Sequence, residues 1–156
     1  MINVKMRIII DLDVVTVAEW DSQEDAIKFI NRIKEGEFTL FTPYILMEHL
    51  SKWEHKNLVA KIEHFYKIYS KIIISAQNVL DKLNELEIDR VALIGNLIRA
   101  GVKEEDAVLV LAAGIFEIDF LVTFNRKHLK GKESEINKVL KKNGIKNIRI
   151  CLPGEI

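Results

Sequence analysis

The chain predicts an α/β fold, a three-layer sandwich around a five-stranded parallel sheet. Two observations carry that prediction. Short β-branched or apolar runs alternate with longer amphipathic stretches, from Ile8-Ile9-Ile10 near the start to Asn147–Leu152 near the end. Strands separated by helices pair in parallel and need helices on both faces. The first strand is also a continuous apolar run rather than an alternating one, as expected of a strand buried on both sides. The 156 residues are 49% hydrophobic, enough for one well-packed domain over residues 1–156 and too few for two comfortable ones.

The elements follow in order. Arg7–Val14 reads as the first strand. Ser22–Glu35 reads as a helix, capped by Ser22 with Asp25 three residues on, closed by Gly36, and striped with Ala26, Phe29, Ile30 and Ile33. Phe38–Thr42 is a second strand, and Pro43 suits the first turn of a helix reaching Trp53. Asn57–Ser70 is a further helix with Leu58, Ile62, Phe65 and Ile68 on one side. Ile72–Ile74 is the third strand. One long helix is predicted from Gln77 to Ala100, closed by Gly101, and another from Lys103 to Phe116. Phe120–Thr123 is the fourth strand, 131–143 a helix followed by Gly144, and 147–152 the fifth strand.

Composition narrows the function. Net charge is zero, from 23 basic and 23 acidic residues, so nucleic acid is attracted only by a local patch. No apolar run approaches the ~18 residues of a membrane span. The opening Met1-Ile2-Asn3-Val4-Lys5-Met6 lacks the shape of a signal peptide, and the expected setting is the cytoplasm, with no membrane partner. The single cysteine, Cys151, excludes an internal disulfide and reads as a small core hydrophobe. No glycine-rich phosphate loop follows the first strand.

Four polar residues sit where an α/β fold places a site. Asp11 ends Ile8-Ile9-Ile10. Glu48 interrupts the apolar Tyr44-Ile45-Leu46-Met47. Asp106 opens the helix that begins Ala107-Val108-Leu109. Asn125 follows Phe120-Leu121-Val122. Oxygen donors of this kind suit Mg²⁺ or Mn²⁺. Asp13 is a further candidate ligand and Glu105 an accessory. Each residue also has a plainer explanation: Asp11 and Asp13 as helix caps, Glu48 paired with Lys52, Glu104-Glu105-Asp106 as a favourable acidic first turn, Asn125 as a turn residue. Thr123 is read as a hydrogen-bond partner or substrate contact. In the basic cluster Arg126-Lys127-His128-Lys130-Lys132, Arg126 and Lys127 are candidates for phosphate contact. Asp119, at the other end of its strand, reads as structural. His49, His55, His64 and His128 do not make a metal set.

In these motifs the chain resembles the PIN-domain nucleases, the family that includes VapC-type toxins. Ile8 to Val15 resembles its first motif, Tyr44 to Leu50 its second, Glu105-Asp106-Ala107 through Ala113 its third, and Asp119 to Asn125 with His128-Leu129 its fourth, over Arg7 to Pro153. The chain departs where Leu12 and Asp13 replace small hydroxyl or amide residues and where the fourth acidic position is Asn125. The resemblance implies a PIN-like fold and a metal-dependent ribonuclease acting on single-stranded or structured RNA. Asp11, Glu48 and Asp106 would be catalytic metal ligands, with Asn125 orienting metal or water. It also implies homodimers and an antitoxin partner. Two other readings compete. Asp11-Leu12-Asp13-Val14-Val15 also satisfies the first motif of haloacid-dehalogenase-type phosphatases, with Thr42 in place for the next, but Thr123-Phe124-Asn125-Arg126 lacks the late acidic pair. A non-catalytic PIN-like module binding RNA or protein is the third.

Overall fold

The computed structural model describes residues 4–156. The first three residues of the opening segment lie outside that range. Five parallel strands, β1 (Arg7–Ile10), β2 (Thr39–Pro43), β3 (Ile72–Ile74), β4 (Phe120–Val122) and β5 (Arg149–Cys151), form one sheet in the order β3-β2-β1-β4-β5. Helices cover both faces, since Ile8, Ile9 and Ile10 are all fully buried although successive side chains point to opposite sides. The predicted α/β sandwich is the observed one.

That order puts a topological switch point at β1 and β4. The chain leaves β1 toward β2 on one side and leaves β4 toward β5 on the other. The crevice between their carboxyl ends is where open α/β sheets bind ligands. Ile10 pairs with Val122 in the register, and the Asp11 N–H donates to the Val122 carbonyl at 2.8 Å. Asp11 and Thr123 therefore leave the sheet side by side.

Helix boundaries differ from the predictions in instructive places. β1 stops at Ile10 because Asp11 caps α1 (Leu12–Trp20), its carboxylate accepting from the Leu12 N–H at 2.9 Å. Ser22 is not the cap of α2 (Glu24–Lys34). It takes a left-handed φ of 51°, and Gln23 caps the helix instead, accepting from Ala26 N–H at 2.7 Å. α3 (Tyr44–Ser51) follows Pro43, and α4 (Lys56–Tyr69) buries Ile62, Phe65 and Tyr66, while the predicted stripe member Ile68 is exposed.

The long helix predicted over 77–100 is two helices, α5 (Ala76–Glu85) and α6 (Arg90–Arg99). Glu87 turns the chain with a left-handed φ of 55°, and Asp89 caps α6 through bonds from Val91 and Ala92 N–H. A glutamate in that conformation gives no glycine signal to read. α7 (Glu104–Ile115) is almost wholly buried from Ala107 onward, and α8 (Glu133–Lys142) precedes β5. Cys151 is buried in β5, and burial pushes its thiol up. Asp119 is structural as expected, accepting from Arg7 N–H at 2.8 Å at the amino edge of the sheet. Among the described residues no helix is long and apolar enough to cross a membrane.

Candidate active site

Two aspartates, Asp11 and Asp13, are joined by one hydroxyl at the carboxyl edge of β1 and β4, and a third, Asp106, lines the same cleft. Thr123, the first residue past β4, is fully buried. Its hydroxyl approaches Asp11 Oδ2 at 2.9 Å and Asp13 Oδ2 at 3.3 Å, and accepts from the Asn125 N–H at 3.0 Å. Asp13 also accepts from the Phe124 N–H, at 3.2 Å to one oxygen and 3.3 Å to the other. A hydroxyl has one proton to give. It can serve only one of the two carboxylates at a time, so the other wants a proton or a cation.

Asp106 stands across the cleft in the first turn of α7, near the mouth of that buried helix. Asn125 Nδ2 donates to Asp106 Oδ2 at 3.5 Å, and Asn125 Oδ1 accepts from the His128 N–H at 2.9 Å. The cleft, of about 340 Å³, is lined by Asp11, Leu12, Asp13, Thr16, Val17, His49, Trp53, Glu105 and Asp106.

Electrostatics are one-sided. Burial raises the Asp11 carboxyl above the usual range, against the Thr123 and Leu12 hydrogen bonds. Asp13 is pushed up to about 7, first by burial and then by the Asp11 charge. Asp106 is pushed up to about 6 by burial, then by Asp11 and Glu105. Among the described residues no lysine or arginine forms an ion pair with any of the three. A protonated His49 works the other way on Asp11. Tyr66 is buried beside the pair, its hydroxyl donating to the Ile10 carbonyl at 2.7 Å. Burial and the charges of Asp11 and Asp13 hold its phenol well above the ordinary value.

The predicted set is therefore only partly assembled. Asp11, Asp13, Asp106 and Glu105 share the cleft, as expected. Glu48 does not join them: it is exposed on α3 and does not line the cleft. Leu46 and Leu50 set the buried side of α3. Successive residues turn by about 100°, which places His49 beside that stripe, toward the cleft, and swings Glu48 away. His49, excluded from a metal set by its spacing to the other histidines, is nonetheless a cleft residue.

Asn125 reaches Asp106 with its N–H, while its oxygen, the only atom that could ligate a cation, accepts from His128. Thr123 cannot be a substrate contact, because it has no exposed surface. Arg126 and Lys127 are exposed on the loop after Asn125 and outside the cleft lining. Two other members of the basic cluster are engaged elsewhere: Lys130 holds the Ile150 carbonyl at 3.0 Å and pairs with Glu155 at 3.3 Å, and the Lys132 stem packs over Gly101. Thr42, needed by the phosphatase reading, is buried with its hydroxyl 2.7 Å from that of Ser70.

The five-stranded parallel sheet with helices on both faces is consistent with a PIN-like three-layer sandwich. The chain is similar to a chain of the crystal structure of VapBC2 from Rickettsia felis bound to a DNA fragment from their promoter, with a TM-score of 0.54 and 14% sequence identity, over 94% of this chain and 98% of that one. At that identity the likeness shows the fold alone. No family model matches the chain, and no curated protein matches it in sequence.

Proposed function

We propose that the protein is a divalent-metal-dependent endoribonuclease, with Mg²⁺ or Mn²⁺ held at the Asp11–Asp13–Asp106 cleft. One observation carries the reading: three aspartates crowd a partly buried cleft with no lysine or arginine paired to them. Buried carboxylates without a cation are costly. The donor set is all oxygen, which suits a hard cation. Among the described residues no three His, Cys, Asp or Glu side chains stand close enough to ligate one ion as they are. Repulsion among charged aspartates favours that open arrangement, so binding would draw Asp106 toward the Asp11–Asp13 pair, and the affinity is expected to be modest.

When bound, such an ion supplies a hydroxide at neutral pH and offsets charge on the attacked phosphate. The residues of the chain do the rest. Thr123 and the Phe124 N–H fix the orientation of Asp11 and Asp13. Asn125 orients Asp106. Glu105 adds charge at the rim. Arg126 and Lys127, on the loop beyond Asn125, are the proposed phosphate contacts. The resemblance to VapC-type toxins carries an antitoxin and a second copy of the chain as partners, and the structural neighbour is itself a VapBC2 complex.

Cleavage of varied single-stranded RNAs with and without Mn²⁺ tests the reading. Asn125→Asp sharpens it. The substituted side chain would keep the His128 N–H bond but set a fourth carboxylate beside Asp106. The variant's metal-free melting temperature should fall, while its gain in Tm on adding Mn²⁺ should exceed that of the wild type, with higher activity. No metal-dependent cleavage by either protein would defeat the enzymatic reading and leave a PIN-like binding module.

Glu48 has a separate test. Glu48→Gln should leave activity within about threefold of wild type if the side chain stays outside the cleft, whereas His49→Ala should weaken activity more. A loss of 100-fold or more in Glu48→Gln would show that the glutamate swings in to serve the metal.

A further inference from the structure

The peptide unit that leads into Asp11 is held from both sides. A peptide is one rigid plane, so the Ile10 carbonyl and the Asp11 N–H move together. The N–H donates to the Val122 carbonyl at 2.8 Å, on the β4 side. The carbonyl accepts from the Tyr66 hydroxyl at 2.7 Å, across 56 residues of sequence. Strand pairing does not supply this second bond. β1 pairs with β2 at Arg7–Thr39 and Ile8–Leu40, and from Phe41 to Pro43 β2 pairs with β3. The Met6 carbonyl faces β2, accepting from the Thr39 N–H at 2.9 Å. Directions alternate along a strand, so the Ile10 carbonyl, four residues on, faces the same way but lies beyond the last β1–β2 pair.

Tyr66 reaches that carbonyl from α4. Its side chain is fully buried, beside the apolar Ile62 and Phe65 of the same helix. A phenylalanine would fill almost the same space. What the hydroxyl adds is a donor for a buried backbone acceptor, which is costly to leave unpaired. Burial and the charges of Asp11 and Asp13 keep the phenol protonated, so it remains a donor.

We infer that Tyr66 is a positioning residue of the cleft: its hydroxyl sets the plane of the Ile10–Asp11 peptide and so aims the Asp11 carboxylate at the cation. The inference rests on the metal-dependent ribonuclease reading and adds to it a residue that touches neither metal nor RNA. The Leu12 N–H and the Thr123 hydroxyl orient the carboxylate itself. The peptide plane is the base on which that carboxylate stands. Without the phenol oxygen the plane is held at its Val122 end alone and can tilt, carrying Asp11 with it. Helix α4 supplies none of the described cleft lining, yet it reaches the site through β1.

The test is Tyr66→Phe in the full-length protein, which removes the oxygen and keeps the ring. Mn²⁺ affinity, read from the electron paramagnetic resonance of the free ion well below the melting temperature, should fall about tenfold, as expected when a ligand's own support is lost. At saturating Mn²⁺, kcat for RNA cleavage should fall while KM stays within about twofold. Ile136→Val, buried in α8 away from the cleft, controls for lost stability: its Tm should fall with Mn²⁺ affinity unchanged. In metal-free protein the Asp11 amide should exchange with solvent faster in Tyr66→Phe than in that control.

An Mn²⁺ affinity in Tyr66→Phe equal to that of the wild type would overturn the inference, even if the protein cleaves RNA. An equal loss of affinity in Ile136→Val would make Tyr66 a core residue like any other and overturn it too. Absence of both Mn²⁺ binding and cleavage in the wild type would refute the ribonuclease reading. The Asp11 amide then decides the clamp by itself, upheld by faster exchange in Tyr66→Phe than in the control and overturned by equal exchange.

Discussion

Replacing Asp11 with asparagine is expected to lower metal-dependent RNA cleavage more than 100-fold while the fold survives. Asp11 is the carboxylate most firmly placed by the architecture. It leaves the central strand β1 at the switch point, its N–H held by Val122 and its carboxylate divided between the Leu12 N–H and the Thr123 hydroxyl. Residues that only orient a metal ligand already cost about 10–100-fold when lost, so a direct ligand should cost more. Stability should not fall. The amide of Asp11→Asn keeps an oxygen for the Leu12 N–H, and removing one buried charge relieves Asp13 and Asp106, both of which that charge disfavours. Cleavage rates beside thermal melts decide the matter. Retained activity at normal Tm would remove Asp11 from the chemistry.

The fold was legible because its strongest signals are local. Ile8-Ile9-Ile10 read as a strand buried on both faces and is one, and the acidic start of the apolar run from Ala107 read as the first turn of a buried helix and is one, whereas the same tripeptide at Ile72–Ile74 forms an edge strand with Ile72 and Ile73 exposed. What sequence reading missed was geometry that small or flexible residues usually announce. Glu87 and Ser22 take left-handed φ without being glycine, so the break between α5 and α6 and the true cap of α2 went unmarked. In the site, Asp11 and Asp106 were legible from their places at element boundaries. The role of Thr123 was half-legible: its position after β4 pointed to a hydrogen-bond partner, but its complete burial between two aspartates depends on the β1–β4 register, a contact 112 residues apart in sequence.

Glu48 and His49 carry the sharper lesson. An acidic residue inside an apolar run looks buried and functional. Yet the periodicity of Leu46, Leu50 and Trp53 was enough to show that position 49, not 48, faces inward. Charge drew attention to the wrong neighbour, whereas the helical period would have found the right one.

The metal-free protein should grow less stable as pH rises from 5 to 7.5, and Mn²⁺ should reverse the trend. Asp13 at about 7 and Asp106 at about 6 both hold protons more tightly when folded than the ordinary 3.8 of an unfolded aspartate. Between those values the folded state binds more protons, so unfolding free energy falls as pH rises. The favourable contribution is complete below about pH 4 and is lost progressively up to about 7. Both groups are partly solvated, so we expect an effect of only about 1–2 kcal/mol, or roughly 2–8 °C in Tm for a chain of this size. Mn²⁺ competes with protons for the same oxygens and binds only the folded cleft, so its stabilisation should be small at pH 5 and grow toward pH 7.5. At a concentration 100 times the dissociation constant it would add about 2.7 kcal/mol. Melting curves at both pH values, with EDTA and with millimolar Mn²⁺, measure all four states. Asp13→Asn should reduce the metal-free slope, leaving the part due to Asp106, and blunt the gain from Mn²⁺ together, because the Asp13 carboxylate contributes to both. A flat metal-free profile with no Mn²⁺ shift would mean that the aspartates are neither strained by one another nor poised for a cation, and the metal centre would fall with them.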